Sequence, residues 1–220
     1  MKKDIQPLTI ERIRAAHRQK RDEIRSRLRE FENIWKNATD DTLFEEMVFC
    51  FFTGGCSAKM GLRSVESVRP FLRKGTVDDI AKALTGAHRY PNARARYVVH
   101  TRDFLTVRGK LDLRKRLQDF NDANDRRDWL VREKGIKGLG YKEASHFLRN
   151  IGFKGYGILD KHVLNSLAEL KLIDDPKPPN TRSKYLTTEE SLRKLTCAAE
   201  IDFDELDLVL WSMKTGIILK

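Results

Sequence analysis

The chain has 220 residues, of which 43 are Lys or Arg and 32 are Asp or Glu, so its formal net charge is +11. This excess of positive charge favours a polyanion as partner over an acidic protein or a neutral metabolite, and nucleic acid is the leading candidate. No apolar run is long enough to cross a bilayer and no signal-peptide core follows the start, so we expect a cytoplasmic protein without a membrane partner. The three cysteines fit neither a zinc nor an iron–sulfur spacing, so no metal site and no cofactor are expected.

Helical periodicity dominates the first half of the chain, and no stretch alternates like a strand. Residues 9–37 carry one apolar stripe at helical spacing and are predicted to form a helix. The pair Thr42 and Glu45 forms a capping box before the apolar run 43–52, which predicts a buried core helix that ends at two glycines. Shorter helices are predicted over residues 59–72, 77–84 and 92–107, the second with a capping pair, Thr76 and Asp79.

A glycine-rich stretch at residues 134–150 lies between two short helical patterns and predicts a two-helix hairpin. Gly138 and Gly140 allow positive φ and a close approach of another backbone. The first amides of the following helix have no partner within it, so such a turn can hold a phosphate group. Gly138, Gly140 and the adjacent Lys137 are therefore predicted DNA contacts.

Two residues near this turn are candidates for a catalytic role. Lys142 falls in the first turn of the second hairpin helix, where the positive end of the helix dipole disfavours an ammonium and favours a neutral, nucleophilic amine. Asp160 follows a second glycine-rich run and precedes a new helix, where it can cap free amides and also offer a fixed negative charge to a sugar cation. Without further information, a surface lysine and a plain N-cap are the alternative interpretations.

A second basic segment, residues 89–97, places three arginines and two tyrosines around a turn. Arg94 and Arg96 are the predicted contacts to DNA phosphates, and the tyrosines could wedge between bases. The alternative is a basic helix face with tyrosines half in the core.

The last part of the chain is predicted to hold a linker and two helices. Residues 174–188 contain three of the six prolines and are predicted to join two lobes. The helices are opened by two capping pairs, Thr187 with Glu190 and Asp202 with Glu205. The apolar tail at residues 217–219 is expected to fold back against a lobe.

The expected fold is all-α, with two helical lobes, a helix-hairpin-helix motif and a DNA- and base-binding cleft between the lobes. The approximate lobes are residues 40–135 and residues 1–39 plus 136–220.

The order of hairpin, lysine, glycine-rich loop and aspartate resembles the helix-hairpin-helix, Gly/Pro-rich loop and aspartate motif of base-excision DNA glycosylases. Residues 136–150, 158–162 and 206–211 are more closely similar to the archaeal-type 8-oxoguanine DNA glycosylase/AP lyases, as is the short tail that ends in lysine. The resemblance implies removal of 8-oxoguanine from damaged double-stranded DNA through a lysine Schiff base. It also implies a nick 3′ to the abasic site by β-elimination.

The same resemblance implies roles for single residues. Lys142 matches the catalytic lysine, and Asp160 the catalytic aspartate. Lys220 takes the place of the terminal lysine that family members use at the damaged base, where it meets the base or holds Asp207 in place. Trp211 is expected to stack on the extruded purine, and a core position on the apolar last helix is the alternative. The mechanism requires no metal, and we expect a monomer.

Two alternatives remain open from the sequence. A helix-hairpin-helix can grip phosphates without chemistry, so a non-catalytic DNA-binding protein is one. A glycosylase/lyase for another oxidised base is the other. The sequence also departs from the family at Gly55, where family members carry Asn or Gln, which leaves the contacts to the opposite base open.

Overall fold

The structure, a computed structural model, describes residues 7–219. This range contains eleven α-helices, one 3₁₀ helix at Arg69–Phe71 and one antiparallel pair of short strands, β1 at Thr106–Val107 and β2 at Lys110–Leu111. The α-helices are α1 (Ile10–Asn37), α2 (Asp40–Thr53), α3 (Ala58–Val68), α4 (Val77–Leu84), α5 (Pro91–Leu105), α6 (Leu113–Gln118), α7 (Ala123–Arg132), α8 (Tyr141–Asn150), α9 (Lys161–Glu169), α10 (Arg182–Ala199) and α11 (Phe203–Thr215). None of the helices in the described range is long and apolar enough to span a membrane.

The chain divides into two compact units. The central unit is Glu30–Tyr156, and the terminal unit combines Met1–Arg29 with Gly157–Lys220. The sequence places the hairpin with the chain termini, whereas in the structure it lies in the central unit. The reason is packing, because α8 lies against α2 and α7, which both belong to that unit.

The core of the central unit is built around α2. Every residue from Glu46 to Thr53 is buried, and α2 packs against α3, α5, α6 and α8. Full burial of a phenylalanine contributes about 1.5–3 kcal/mol, and Phe49, Phe51 and Phe52 are all fully buried here. The predicted core helix is confirmed, and it forms the support against which α8 is fixed.

The predicted start of α2 is wrong by a few residues. Thr39 is the N-cap, and its hydroxyl accepts a hydrogen bond from the Thr42 amide. Two acidic residues, Asp40 and Asp41, then occupy the first turn, where the helix dipole favours negative charge. Glu45 instead forms an ion pair with Arg69 at 2.9 Å. By contrast, the capping box of Thr76 and Asp79 before α4 is confirmed.

The terminal unit contains the first part of α1 together with α9, α10 and α11. Helix α11 packs against both α9 and α10. Helix α10 also holds the loop that leads to Asp160, since the Tyr185 hydroxyl donates to the Gly157 carbonyl at 2.7 Å and the Gly157 amide donates to Glu189 Oε1 at 2.8 Å. The N-terminus of α9 is thereby fixed by its own unit.

The segment 174–188 does not have the expected character along its length. Helix α10 already begins at Arg182, with Thr181 as its N-cap, so the predicted start at Thr187 is wrong. The first turn of α10 carries the buried Tyr185, and this tertiary contact gives no local signal in the sequence. The loop before it joins α9 to α10, both in the terminal unit.

Candidate functional site

The first half of the hairpin loop is held by hydrogen bonds within the central unit. The Gly135 amide donates to Glu133 Oε1 at 2.9 Å, and the Ile136 amide to the Glu133 carbonyl at 3.0 Å. The Lys137 amide donates to Thr101 Oγ1 on α5 at 3.0 Å. These three amides therefore define the shape of the loop and are not free for a ligand.

Gly138 requires the absence of a side chain for two reasons. Its φ is +86°, in the left-handed region, and a Cβ atom would lie 2.5 Å from the ring of Tyr97. Since real Cβ atoms do not approach neighbours so closely, any other residue would displace Tyr97 or the loop. The glycine thus lets the loop lie directly on α5.

After Lys137, several backbone amides of the hairpin have no partner in the described part of the chain. Between residues 7 and 219, the backbone amides of Gly138, Gly140 and Lys142 have no hydrogen-bond acceptor. Gly140 is the N-cap of α8 and provides no side-chain cap. Free amides at the positive end of a helix dipole bind anions, and the side chain of Lys137 is exposed beside them. The geometry of this end therefore suits a phosphate group.

Lys142 lies in the first turn of α8, as the sequence predicts. Its side chain is 25% exposed, and its Nζ atom is 3.7 Å from Oε1 of Glu143, whose side chain is 19% exposed. Adjacent residues on a helix do not normally face each other, so both side chains must bend toward a common point. An amine and a carboxylate thus share a partly shielded position.

The side chain of Arg94 makes contacts within the fold. Its guanidinium donates to the carbonyl of Gly54 at the end of α2, and it lies 5.5 Å from the ring centre of Tyr97. A Cβ atom on Gly54 would lie 3.1 Å from Arg94 Nη2 and 3.7 Å from Glu143 Oε1. The guanidinium and the carboxylate therefore approach Gly54 from α5 and α8. Contact of Arg94 with DNA remains a prediction.

The rest of the segment 88–97 combines buried and exposed groups. His88 is buried; its Nδ1 accepts from the Tyr90 amide at 2.9 Å, so Nε2 donates to the Phe52 carbonyl at 3.0 Å. Burial lowers the pKa of His88 below its ordinary value, which favours the neutral ring. Tyr90 is 43% exposed and Arg96 is exposed, so these two side chains face solvent.

Asp160 is the N-cap of α9, in agreement with the sequence. Its Oδ1 atom accepts from the amides of His162 at 2.8 Å and Val163 at 2.9 Å. Within the described residues Oδ2 has no hydrogen-bond donor. One oxygen therefore stabilises the helix, while the other remains free to interact with a substrate.

Three further predicted residues belong to the end of the chain. Asp207 is buried on α11, and Trp211 is half-buried one turn further on. Lys220 lies outside the described residues. The predicted folding back of the tail is confirmed for Ile218, which is 5% exposed, but Ile217 is 39% exposed. Among the described residues, no three His, Cys, Asp or Glu side chains are grouped so that they could hold a metal ion.

Comparison with known proteins shows the family of this chain. The model of the 8-oxoguanine DNA glycosylase family matches residues 24–201. A relative from Korarchaeum cryptofilum, an 8-oxoguanine DNA glycosylase/AP lyase, is 40% identical over 201 residues that cover 91% of each chain. The chain belongs to the 8-oxoguanine DNA glycosylase family.

Solved structures from this family agree in fold. The 8-oxoguanine glycosylase/lyase of Methanocaldococcus jannaschii, in complex with a 15mer DNA that contains 8-oxoguanine, has a TM-score of 0.87 and 32% identity, with 96% of this chain and 99% of that chain covered. The 8-oxoguanine DNA glycosylase of Thermotoga maritima has the same TM-score and identity, with 96% and 98% covered. The predicted family and all-α helix-hairpin-helix fold are confirmed.

Sequence reasoning missed Glu143 as a functional candidate. Its position directly after the predicted nucleophile Lys142 was a signal, but neighbours on a helix usually diverge, so the sequence gives no reason for the two side chains to meet. It also missed Thr101, whose hydroxyl fixes the loop from 36 residues away. Contacts of this kind leave no local pattern.

Proposed function

We propose that this protein removes 8-oxoguanine from double-stranded DNA and then nicks the strand at the resulting abasic site. Membership of the 8-oxoguanine DNA glycosylase family supports the reaction class. The observation that carries the proposal is the open N-terminus of α8, which combines free backbone amides with a partly shielded lysine. The expectations of a monomer and of a cytoplasmic location stay predictions.

DNA binding is assigned to the hairpin. The free amides of Gly138, Gly140 and Lys142 bind a backbone phosphate, and Lys137 adds positive charge beside it. Arg96 supplies a further exposed cation on α5. Such contacts do not read sequence but fix the position of the duplex, which suits an enzyme that must scan for a lesion.

The base must leave the stack before chemistry can begin. Extrusion costs a few kcal/mol, which phosphate contacts offset. Trp211 is the proposed stacking partner of the extruded purine, because the residue is only half-buried and an indole ring can stack on a base. Asp207 and Lys220 are the residues proposed to recognise the damaged base. 8-Oxoguanine differs from guanine by an oxygen at C8 and a proton at N7, so a positioned charge can distinguish the two bases.

The chemical step is assigned to two side chains. The neutral amine of Lys142 attacks C1′, and the bond from C1′ to the base breaks with its electron pair going to the base. Asp160 stabilises positive charge on the sugar with the oxygen that does not cap α9. The amine then forms an iminium with C1′ as the bond from C1′ to the ring oxygen breaks and that oxygen takes a proton from the amine. Elimination of the 3′ phosphate follows.

A cleavage assay with trapping tests the proposal. Purified protein is incubated with duplexes that carry 8-oxoguanine, another oxidised base or no lesion, with and without borohydride. We expect nicking and a covalent complex with 8-oxoguanine DNA above all. DNA binding without either product would support a non-catalytic hairpin protein, and equal activity on oxidised pyrimidines would contradict the purine specificity.

A further inference from the structure

The elimination step needs a base, a role that the proposed function assigns to neither Lys142 nor Asp160. Once the iminium has formed, a proton must leave C2′ before the 3′ phosphate can depart. We propose that Glu143 takes this proton. The inference rests on the proposed function and deepens it, because it names the residue that separates base removal from strand scission.

Distance supports this assignment. In the iminium, C2′ is two bonds from the lysine nitrogen, or about 2.5 Å. Oε1 of Glu143 already lies 3.7 Å from that nitrogen. The carboxylate can therefore approach the C2′ hydrogen by side-chain rotation alone, with α8 unchanged.

The step balances in electrons and protons. Glu143 forms an O–H bond with the proton of C2′, and the C–H electron pair becomes the C1′–C2′ double bond of an enamine as the iminium electrons return to nitrogen. The enamine then forms a C2′–C3′ double bond, regenerates the iminium and expels the 3′ phosphate with its electron pair. No oxidant, reductant or metal takes part.

The ordinary structural role of an acid at this position is not fulfilled. Glu143 is the third residue of α8, where a capping-box acid accepts a hydrogen bond from the N-cap amide. Asp79, the third residue of α4, does so: its carboxylate accepts from the Thr76 amide at 2.9 Å and from the Thr76 hydroxyl at 2.7 Å. Within residues 7–219, Glu143 accepts no hydrogen bond, and its one close polar partner is Lys142. A carboxylate without a fixed donor can accept a proton.

The test compares trapping with nicking on a duplex that carries a pre-formed abasic site, under single-turnover conditions. Wild type should form the borohydride-trapped complex and nick the strand. Glu143→Gln should trap within about twofold of wild type but nick more slowly by about 10²-fold or more, the usual contribution of a positioned base. The control Asp78→Asn removes the same charge from the exposed first turn of α4 and should behave as wild type.

A second variant tests whether slower nicking results from a damaged structure and not from the missing base. Glu143→Ala should also trap and fail to nick, and added formate should restore nicking in proportion to its concentration, because it replaces the missing base. If Glu143→Gln nicks at the wild-type rate, or loses trapping and nicking equally, Glu143 is not the base. Absence of formate rescue in a folded Glu143→Ala protein overturns the inference as well. If wild type neither traps nor nicks, the proposed function itself has failed.

Discussion

Two helix N-termini in this protein differ in how the unpaired amides of the first turn are treated. Helix α9 begins at Asp160, whose Oδ1 accepts from two amides of the first turn. Helix α8 begins at Gly140, which leaves its first amides without a cap. Both helices carry a lysine in the first turn, Lys161 in α9 and Lys142 in α8.

We interpret the difference as one helix end that is built for stability and another that is built for a ligand. A side-chain cap usually contributes about 1 kcal/mol, but it also occupies the amides that an anion would bind. Glycine at the start of α8 forgoes this stabilisation and leaves the anion site open. At α9 the proposed function gives the cap itself a second role, because a carboxylate has a second oxygen. If this interpretation is correct, changes at the two ends should have different effects.

The largest effect is expected at the lysines. Lys142→Gln should abolish the trapped complex and reduce excision on the order of 10⁴–10⁶-fold, as for loss of a nucleophile, while DNA affinity changes only a few-fold. Lys161→Gln is the matched control, an exposed lysine in the first turn of α9. Its excision rate should stay within a few-fold of wild type. A normal trapped complex from Lys142→Gln would remove the chemical distinction between the two ends.

The next effect concerns the cap of α9. Asn caps a helix about as well as Asp, so Asp160→Asn should unfold at nearly the same temperature as wild type. Its excision rate should nevertheless fall roughly 10²–10³-fold, because the charge that stabilises the sugar cation is lost. Single-turnover excision and thermal unfolding measure the two properties.

Asp122 provides a close control for this change. It caps α7 with the same geometry, since its Oδ1 accepts from the Asn124 amide at 2.7 Å and the Asp125 amide at 3.0 Å. Asp122→Asn should keep both stability and rate. Equal rates for Asp160→Asn and wild type would reduce Asp160 to a structural cap.

The comparison also explains what the sequence could and could not predict. The start of α4, the cap of α9 and the glycine hairpin all depend on residues within a few positions of each other, and all were predictable. The start of α10 was not, because the buried Tyr185 holds its first turn through Gly157, 28 residues earlier. The position of Arg94 could not be predicted for the same reason, because its hydrogen bond to the Gly54 carbonyl spans 40 residues.

The candidate site shows the same division. Lys142 and Asp160 stand in local motifs, so their positions followed from the order of hairpin, loop and aspartate. The hydrogen bonds of the first three loop amides within the fold could not be predicted, because one acceptor, Thr101, lies on another helix. The division into units was also misjudged, since contacts of α8 with α2 decide it and the sequence shows no periodic signal for them.

A smaller effect is expected when α8 is made to resemble α9. Gly140 has φ of −89°, which any residue can adopt, so Gly140→Asp can introduce a cap. The change from glycine should raise stability by only a few tenths of a kcal/mol. DNA affinity should fall about tenfold, or about 1.4 kcal/mol, because the carboxylate occupies the amides and repels phosphate.

A neutral variant separates the two causes. Gly140→Asn fills the amides without adding charge, and both variants place the same Cβ atom 3.2 Å from Glu143 Oε2. Affinity should therefore decrease in the order glycine, asparagine, aspartate. Equal binding by all three proteins would mean that phosphate is not held at this helix end.

The smallest effect is expected from single cations beside the open end. Lys137 is exposed next to the free amides, whereas Lys134 is exposed three residues earlier in the same loop. If Lys137 contacts one phosphate, Lys137→Ala should reduce the slope of log affinity against log salt by about one and weaken binding a few-fold at moderate salt. Lys134→Ala removes the same charge from the same hairpin and should leave the slope nearly unchanged, so the pair distinguishes a phosphate contact from a general effect of net charge. Equal slopes for the two variants would show that the charge near α8 acts only at long range, and the specific phosphate site would then have to be formed by the amides alone.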